Sequence, residues 1–295
     1  MTLSTTTDPH AAFADLRPRL FGIAYRMLGV RADAEDVVQE AWLRWDAADR
    51  SALQSAEAWL VTVTTRLAID RLRAVRAERE AYAGLWLPEP LVEPVDDHTP
   101  ERAAELASDL SVAFLLLLER LAPQERAAFL LRQVFDYDYP EIAEILGKSE
   151  AAVRQMVHRA GERIRQERRR TEVPRDAHRR LLERFIAAAQ SGQREAIRAL
   201  LAEDAAAHGD GGGKAPVVPG GMHGRDRVAN LFWAHHLRLG HRVQYRLASV
   251  NGEPGIVQFV DGQVESVLAV LGDGERIQVI YSIRNPDKLA GIAVG

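Results

Sequence analysis

The sequence predicts a multidomain protein in which two all-α modules precede an α+β domain with an antiparallel sheet. Up to about residue 170, apolar residues recur at helical spacing. After about residue 240, short segments alternate or run β-branched, and Asn251-Gly252 and Asp261-Gly262 separate them. Asn-Gly and Asp-Gly are strong hairpin signals, so this part predicts a meander. A chain of 295 residues has room for two or three such domains.

Composition narrows the class of protein. The chain has no cysteine, so a disulfide framework is excluded and a reducing cytoplasm is the expected location. Its polar N-terminus does not resemble a signal peptide, and no apolar run is long enough to predict a membrane span. Charge is segregated: residues 148–170 hold eight basic and three acidic residues, whereas residues 86–110 hold seven acidic residues and one basic. Such blocks are typical of a modular nucleic-acid binder with an acidic linker.

Tyr139 to Ala160 predicts two helices joined by a tight turn. Pro140 suits the first turn of a helix that ends near Leu146, where its missing N–H costs nothing. Gly147 is the expected C-cap, because glycine enters the left-handed region freely. Ser149 is the expected N-cap of the second helix. The pattern therefore predicts a helix-turn-helix.

The second helix of this pair has two chemically different faces. Val153, Met156, Val157 and Ala160 share one face and are expected to pack inward. The opposite face carries side chains that can read base edges in a major groove. These are Ala151, Arg154, Gln155 and His158. The alternative is an ordinary helical hairpin with a solvated polar face.

Three helices are expected upstream, at Phe13–Leu28, Arg31–Trp45 and Ala58–Glu80. Acidic and amide side chains early in the second helix form a surface, although the helix dipole also favours acids there. On the third helix, Arg66, Arg73 and Arg76 lie on one face, which suits a phosphate backbone. The alternative is that both charged surfaces face solvent and bind no partner.

These motifs are similar to those of the extracytoplasmic-function (ECF) sigma factors. DAEDVVQEAWLRW and RLAIDRLR resemble sigma region 2, and LERLAPQERAAFLLRQVFDYDYPEIAEIL with the hairpin resembles region 4. The resemblance implies partners, core RNA polymerase and promoter DNA. It implies core docking by Asp33, Asp36, Gln39 and Glu40. It implies contact with the −10 element by the connection from Asp46 to Glu57 and by Arg66, Arg73 and Arg76. It implies contact with the −35 element by Ala151, Arg154, Gln155, His158 and Arg159.

Three further strings, WLPEPL, DGGGK and NPDKL, resemble signatures of the sigma-factor subgroup with a fused C-terminal domain. Prolines keep the linker that begins at Trp86 extended. The resemblance suggests a regulatory contact between linker and C-terminus. It would involve Trp86, Leu87, Pro88, Asn285, Pro286, Asp287, Lys288 and Leu289. The predicted domains are region 2 (1–85), a Pro-rich acidic linker (86–106), region 4 (107–170, with an apolar helix at Leu110–Leu121), a short linker (171–177) and the C-terminal domain (178–295).

The C-terminal domain resembles the SnoaL-like fold, a curved sheet wrapped on helices to form a cone. Helices are expected at His178–Gln190 and Gln193–Leu201, and strands at Tyr245–Val250, Gly255–Val260, Gln263–Leu271 and Arg276–Ile283. The candidates to line the cone are His208, Asp210, His223, Trp233, Phe259 and Tyr281. On a strand, His208 and Asp210 would share a face and could transfer a proton; the alternative is that Asp210 shapes the glycine-rich turn.

Other motifs are weaker. Gly213-Lys214 is not a phosphate loop, because Ala215 replaces the required Ser or Thr. His235, His236 and His241 lack a clear carboxylate partner, so we expect no metal, no cofactor and no catalytic residue.

We therefore expect a sigma factor, monomeric when free, whose C-terminal domain modulates its activity in cis and has room for a small ligand in its cone. A ligand-sensing helix-turn-helix regulator that acts without core polymerase is the alternative. A bifunctional protein with a catalytic C-terminal domain is the third hypothesis.

Overall fold

The computed structural model describes residues 9–49, 53, 55–93, 110–167 and 173–292. The chain divides into two compact units, residues 1–80 with 117–168 and residues 81–116 with 169–295. Residues 94–106 of the predicted linker and the predicted start of region 4 near Ala107 lie outside the described residues.

The helices are α1 (Pro9–Leu28), α2 (Arg31–Ala47), α3 (Ala56–Glu80), α4 (Val112–Leu118), α5 (Pro123–Gln133), α6 (Tyr139–Leu146), α7 (Glu150–Glu167), α8 (Arg175–Gln190), α9 (Arg194–Ala199), α10 (Arg225–Leu239) and α11 (Pro286–Leu289). The strands are β1 (Val92–Glu93), β2 (Leu201–Asp210), β3 (Met222–His223), β4 (Val243–Val250), β5 (Glu253–Val260), β6 (Gln263–Gly272) and β7 (Ile277–Ile283).

The first unit is helical. Helix α1 packs against α2 and α3 and buries Leu20, Ile23 and Leu28 completely. Helices α5, α6 and α7 pack together in its second half. The predicted helices upstream of the linker are present with longer bounds, because their helical periodicity is local and strong. The apolar helix predicted at Leu110–Leu121 is shorter and spans only α4.

The second unit is built on one seven-stranded sheet with the order β1-β4-β5-β6-β7-β2-β3. Strands β4 to β7 form the predicted antiparallel meander, and their turns contain Asn251 and Asp261 at positive φ. Strand β2 pairs with β7 in parallel. Together with α8, α9 and α10 the sheet forms the SnoaL-like cone.

The sheet buries a core on each face. The face toward α8, α9 and α10 includes Phe185, Phe232, Ile256 and Leu268. The opposite face is covered by residues that precede the domain in sequence: Leu87 is completely buried and Val112 is 2% exposed. They pack with Val250, Val257, Phe259, Val267 and Ile283.

Two elements depart from the sequence-based expectation. The helix predicted at Gln193–Leu201 ends at Ala199, and Leu201–Asp210 forms strand β2. This stretch is rich in alanine and has no β-branched residue, so its own propensity does not indicate a strand. Pairing with β7 on one side and β3 on the other stabilises it instead.

Strand β1 is the second departure. Two residues of the predicted linker pair with β4, with Val92 opposite Val250 and Glu93 opposite Ser249. Beside them, the Leu91 amide donates to Asn251 Oδ1 over 3.1 Å, and the Asn251 amide donates to the Leu91 carbonyl over 2.8 Å. The linker therefore supplies an edge strand to the C-terminal sheet.

Candidate nucleic-acid and partner interfaces

The hairpin of α6 and α7 is closed by its caps. Gly147 adopts φ +62°, and the Lys148 amide donates to the Ala143 carbonyl over 2.9 Å. The Ser149 hydroxyl accepts from the Ala152 amide over 3.3 Å, which caps the start of α7. The predicted turn is therefore present.

Helix α7 separates its two faces as the sequence pattern indicates. Val153, Val157 and Ala160 are buried, whereas Met156 is half-buried. All five residues predicted to contact the −35 element are exposed. They are Ala151, Arg154, Gln155, His158 and Arg159.

The Arg154 guanidinium is ordered by local contacts. Its Nε donates to Glu150 Oε1 over 3.0 Å, and the guanidinium carbon lies 4.2 Å from the centroid of the Tyr139 ring. Exposed pairs of this kind contribute little to stability. Arg154 can therefore exchange this carboxylate for a base edge at small cost.

The three arginines predicted to contact the −10 element have different surroundings. Arg73 pairs with Asp70 over 3.0 Å and Arg76 with Glu80 over 3.4 Å, each within α3 and each exposed. Arg66 instead reaches α6, where its Nε donates to the Ile145 carbonyl over 2.9 Å and its Nη2 to the Glu144 carbonyl over 3.3 Å.

The four residues of the acidic surface of α2 also differ in exposure and in pairing. Asp36 and Gln39 are exposed, and Glu40 pairs with Arg44 over 2.9 Å. Asp33 has only 14% of its side chain exposed and accepts two hydrogen bonds from Arg71, at 3.0 and 2.6 Å. These hydrogen bonds raise the pKa of Arg71. Asp33 thus joins α2 to α3, whereas Asp36 and Gln39 are free to meet a partner.

A second feature of the first unit is a buried ion cluster centred on Glu119. Arg79 Nη1 donates to Glu119 Oε2 over 2.6 Å, and Arg126 Nη1 donates to Oε1. Burial alone would raise the pKa of Glu119, but the two guanidinium groups more than offset it, so the pKa is lowered. Arg126 is 1% exposed, and burial lowers its pKa. The sequence analysis did not identify this cluster.

In the second unit, the linker and the C-terminal residues meet at Asp210. This aspartate is completely buried. Its Oδ1 accepts from the Tyr82 hydroxyl over 2.6 Å, and its Oδ2 accepts from the Leu87 amide over 2.9 Å. Lys288 Nζ donates to Asp210 Oδ2 over 2.7 Å and to the Leu87 carbonyl over 2.5 Å. We call Tyr82, Leu87, Asp210, Asn285 and Lys288 the Asp210 cluster.

Aromatic and amide groups complete the Asp210 cluster. Lys288 Nζ lies 4.5 Å from the Trp86 ring centroid and 5.0 Å from that of Tyr82. Asn285 donates through Nδ2 to the Tyr82 hydroxyl over 2.8 Å, and its Oδ1 caps α11 by accepting from the Asp287 amide. Burial, and then hydrogen bonding to Asp210, raise the pKa of Tyr82.

The contact suggested between linker and C-terminus thus has a defined geometry. Leu87, Asn285 and Lys288 belong to the Asp210 cluster, and the Trp86 ring lies against the Lys288 ammonium group. Leu289 packs with Leu87 in the outer core of the sheet. Asp287 faces outward and pairs with Lys214 over 2.6 Å. Pro286 starts α11, and Pro88 is buried.

The structure corrects the predicted lining of the cone. Phe259 and Tyr281 belong to the core on the opposite face of the sheet. His208 stacks on Tyr281 with ring centroids 5.9 Å apart and meets His223 edge-on at 5.3 Å, so it is on that face too. Burial, and then the His223 ring, lower the pKa of His208. Asp210 is occupied by the linker and is not a partner of His208.

Two other findings concern the described residues only. These residues contain no group of three or more His, Asp or Glu arranged to hold a metal ion. In the same ranges, no helix is long and apolar enough to cross a bilayer.

Family models match both helical modules. A Sigma-70 region 2 model matches residues 12–78, and a Sigma-70, region 4 model matches residues 111–164. The sequence is 38% identical over 289 residues to the ECF RNA polymerase sigma factor SigJ of Mycobacterium tuberculosis strain H37Rv, covering 95% of this chain and 92% of the relative. It is 31% identical over 287 residues to the probable ECF sigma factor SigI of the same species, covering 96% and 95%.

A solved structure gives the same result. The crystal structure of Mycobacterium tuberculosis SigJ superposes with a TM-score of 0.76 at 37% identity, over 96% of this chain and 99% of that chain. Both sigma regions are matched in order and the relatives align nearly end to end, which disfavours a helix-turn-helix regulator unrelated to polymerase. The chain belongs to the ECF sigma factors, the proteins that direct promoter-specific transcription initiation.

Proposed function

We propose that this sigma factor binds core RNA polymerase through α2 and reads a promoter through α3 and α7, while its C-terminal domain modulates this activity in cis. The observation that carries the proposal is the polarity of α7. Its five candidate DNA contacts are exposed while Val153, Val157 and Ala160 are buried. A recognition helix needs this division, because it must pack on its own module and present polar groups to the groove.

The roles within α2 and α3 differ between residues. Asp36 and Gln39 are the strongest candidates for the polymerase contact, because both are exposed. Asp33 acts through its pair with Arg71 and orients the two helices. Arg73 and Arg76 are available to DNA phosphates, since each holds only an exposed pair within its own helix.

Cis modulation is supported by the Asp210 cluster. The linker between the two DNA-binding modules is held by hydrogen bonds between the Leu87 main chain and the buried Asp210–Lys288 pair of the C-terminal domain, and by the two residue pairs of β1. Any change in the C-terminal domain that moves Asp210 or Lys288 would alter the linker. The same cluster argues for a non-catalytic domain, because Asp210 is engaged by Tyr82, Leu87 and Lys288 and not by His208.

The primary test is transcription with core polymerase on a promoter library. The full chain should form open complexes at a defined set of promoters. Arg154→Ala should weaken recognition of the −35 element by ~1–3 kcal/mol, the range for loss of a bidentate base contact. The matched control is Arg179→Ala, which removes an exposed arginine of α8 that likewise pairs with a glutamate four residues away in its own helix.

Promoter selectivity that Arg154→Ala and Arg179→Ala affect equally would remove α7 from the readout. A full chain that forms no open complex on any promoter, together with a variant whose Asp210 cluster is disrupted that also forms none, would contradict the proposed function. An open complex formed only by the disrupted variant would indicate that the C-terminal domain inhibits.

A further inference from the structure

The ring of Tyr139 lies against Arg154, one of the candidate DNA contacts of α7. Tyr139 is the first residue of α6. Its ring centroid is 4.2 Å from the guanidinium carbon of Arg154 and 5.0 Å from that of Arg132 on α5. Such contacts are attractive because the face of an aromatic ring carries partial negative charge. One half-buried aromatic side chain therefore touches cations from both neighbouring helices.

The start of α6, which carries this ring, is held by local hydrogen bonds. Arg132 Nη1 donates to the Tyr137 carbonyl over 3.0 Å and to Asp138 Oδ1 over 3.1 Å, so its guanidinium is fixed beside the start of α6. The Asp138 amide donates to Glu141 Oε2 over 2.7 Å, which fixes the main chain just before Tyr139. The ring is therefore attached to an ordered part of the helix-turn-helix.

Arg154 has two kinds of partner, and only one of them is compatible with base recognition. Glu150 accepts hydrogen bonds from the edge of the guanidinium, from Nε over 3.0 Å and from Nη2. A guanine would use that edge too, through its O6 and N7 acceptors, so Glu150 must give way. A guanidinium stacked on a ring keeps the N–H donors in its plane available. The contact with Tyr139 can therefore persist while Arg154 binds a base.

We propose that Tyr139 is a positioning residue for promoter recognition, whose ring holds the Arg154 guanidinium with its N–H donors available to a base edge. The inference rests on the −35 role proposed above for Arg154. An arginine that rotates freely loses that freedom when it binds. With the ring in place, part of this loss occurs already in the free chain. A wrong base pair does not require Arg154 to be ordered, so the gain falls on the correct one.

The test measures base discrimination by the full chain with core polymerase. Promoters in which each base pair of the −35 element is replaced in turn are compared with the unchanged promoter. Arg154→Ala identifies the pair that Arg154 reads, as the position at which discrimination disappears. Tyr139→Leu should lower discrimination at that same pair by about 3- to 10-fold and leave the other positions unchanged. Tyr139→Phe should restore it, because phenylalanine keeps the ring.

A double variant separates positioning from packing. Because Tyr139 acts through Arg154, Tyr139→Leu should not change discrimination further in a chain that already carries Arg154→Ala. A ring that only packs α6 against its neighbours would weaken binding to every promoter equally in both backgrounds, which would overturn the proposal. Tyr139→Phe with the same loss as Tyr139→Leu would also overturn it, since the hydroxyl would then be the group that matters.

The outcome separates this proposal from the proposed function. If Arg154→Ala changes discrimination and Tyr139→Leu does not, the positioning role is wrong and the −35 role of α7 stands. If neither variant changes discrimination, both are wrong.

A measurement without DNA tests the same contact, even if Tyr139→Leu forms no open complex. Nitrogen-15 relaxation of the Arg154 Nε group in the free full chain reports how ordered this side chain is. We expect Arg154 to be more ordered than Arg179, which has the same kind of glutamate pair within its own helix. Tyr139→Leu should lower the order of Arg154 and leave Arg179 unchanged. Equal order of Arg154 in the unsubstituted chain and in Tyr139→Leu would overturn the proposal.

Discussion

Two buried carboxylates, Asp210 and Glu119, each connect segments that are far apart in the sequence, and they differ in how completely they are satisfied. Asp210 is completely buried and meets one ammonium group, a tyrosine hydroxyl and the amides of Leu87 and Gly212. Glu119 has 22% of its side chain exposed and is shared by two guanidinium groups. Among the described residues, none forms a hydrogen bond with Arg126 Nη2.

The difference concerns how easily each contact opens. Releasing the linker leaves the Asp210–Lys288 pair intact, but it breaks the hydrogen bonds that Tyr82 and Leu87 donate to Asp210 and that Lys288 donates to the Leu87 carbonyl. Hydrogen bonds to charged groups are stronger than neutral ones, so this release is costly. Opening the contacts around Glu119 would instead hydrate Arg126 Nη2, a buried donor that makes no hydrogen bond to any described residue. We therefore expect the linker to stay on the C-terminal domain under conditions in which the contacts around Glu119 open.

The largest effect is expected from removing Asp210. Asp210→Ala leaves the Lys288 ammonium, the Tyr82 hydroxyl and the Leu87 amide without their shared acceptor, so linker docking should weaken by ~3–5 kcal/mol. Hydrogen exchange of the Leu87 amide in the full chain measures this as an acceleration of about 100-fold or more.

A double variant provides the control for Asp210. Asp210→Asn combined with Lys288→Met removes both charges and keeps an acceptor, so it should cost less than Asp210→Ala. If Leu87 stays protected from exchange in Asp210→Ala, the linker is held mainly by its apolar contacts, and the contrast between the two carboxylates disappears.

An intermediate effect is expected at Glu119. Glu119→Gln leaves two neighbouring guanidinium groups without their shared counter-charge, which should destabilise the first unit by about 2–3 kcal/mol at neutral pH. Because the pKa of Glu119 is lowered in the folded state, its contribution is present above its unfolded pKa of about 4.3 and is lost as pH falls through the folded pKa.

The difference in unfolding free energy between the unsubstituted chain and Glu119→Gln should accordingly shrink in acid. Thermal unfolding at pH 7 and at pH values below about 4 measures it. Arg126→Met is the companion variant: it breaks a hydrogen bond to the Arg26 carbonyl but leaves Glu119 paired with Arg79, so we expect a smaller loss than for Glu119→Gln. A larger loss for Arg126→Met than for Glu119→Gln would show that Arg126 is as well satisfied as Lys288.

The sequence predicted those parts of the molecule that depend on local pattern. The faces of α7, the cap at Gly147 and the meander turns follow from periodicity and from residue types with special backbone freedom. The exposure of Ala151 and Gln155 follows from the same periodicity. These features need no knowledge of distant neighbours.

The parts that the sequence did not predict depend on contacts across long separations. Tyr82 carries no motif, and its partner Asp210 lies 128 residues away. The sequence analysis singled out Arg66 as a basic residue of α3, but its acceptors in the structure are main-chain carbonyls, and residue type does not reveal such partners. His208 was assigned to the cone interior because the face of β2 is fixed only by its register with β7.

The smallest effect is expected at Tyr82, and it tests whether the Asp210 cluster depends on its ion pair or on its full set of donors. Tyr82→Phe removes one hydrogen bond to Asp210 and leaves Lys288 and Leu87 in place, so the second unit should lose ~1 kcal/mol. Burial, and then Asp210, raise the pKa of Tyr82 above its ordinary value of about 10. The contribution of Tyr82 is therefore fully present below about pH 10 and is lost as pH rises through the folded pKa.

Thermal unfolding of the unsubstituted chain and of Tyr82→Phe between pH 7 and pH 11 measures the contribution of Tyr82. The difference between them should stay constant up to about pH 10 and shrink above it. The control is Tyr281→Phe, a tyrosine of the same unit that stacks on His208 and takes no part in the Asp210 cluster. If Tyr82→Phe destabilises the second unit as much as Asp210→Ala does, the Tyr82 hydroxyl accounts for most of what Asp210 contributes, and the contrast with Glu119 rests on that one hydrogen bond.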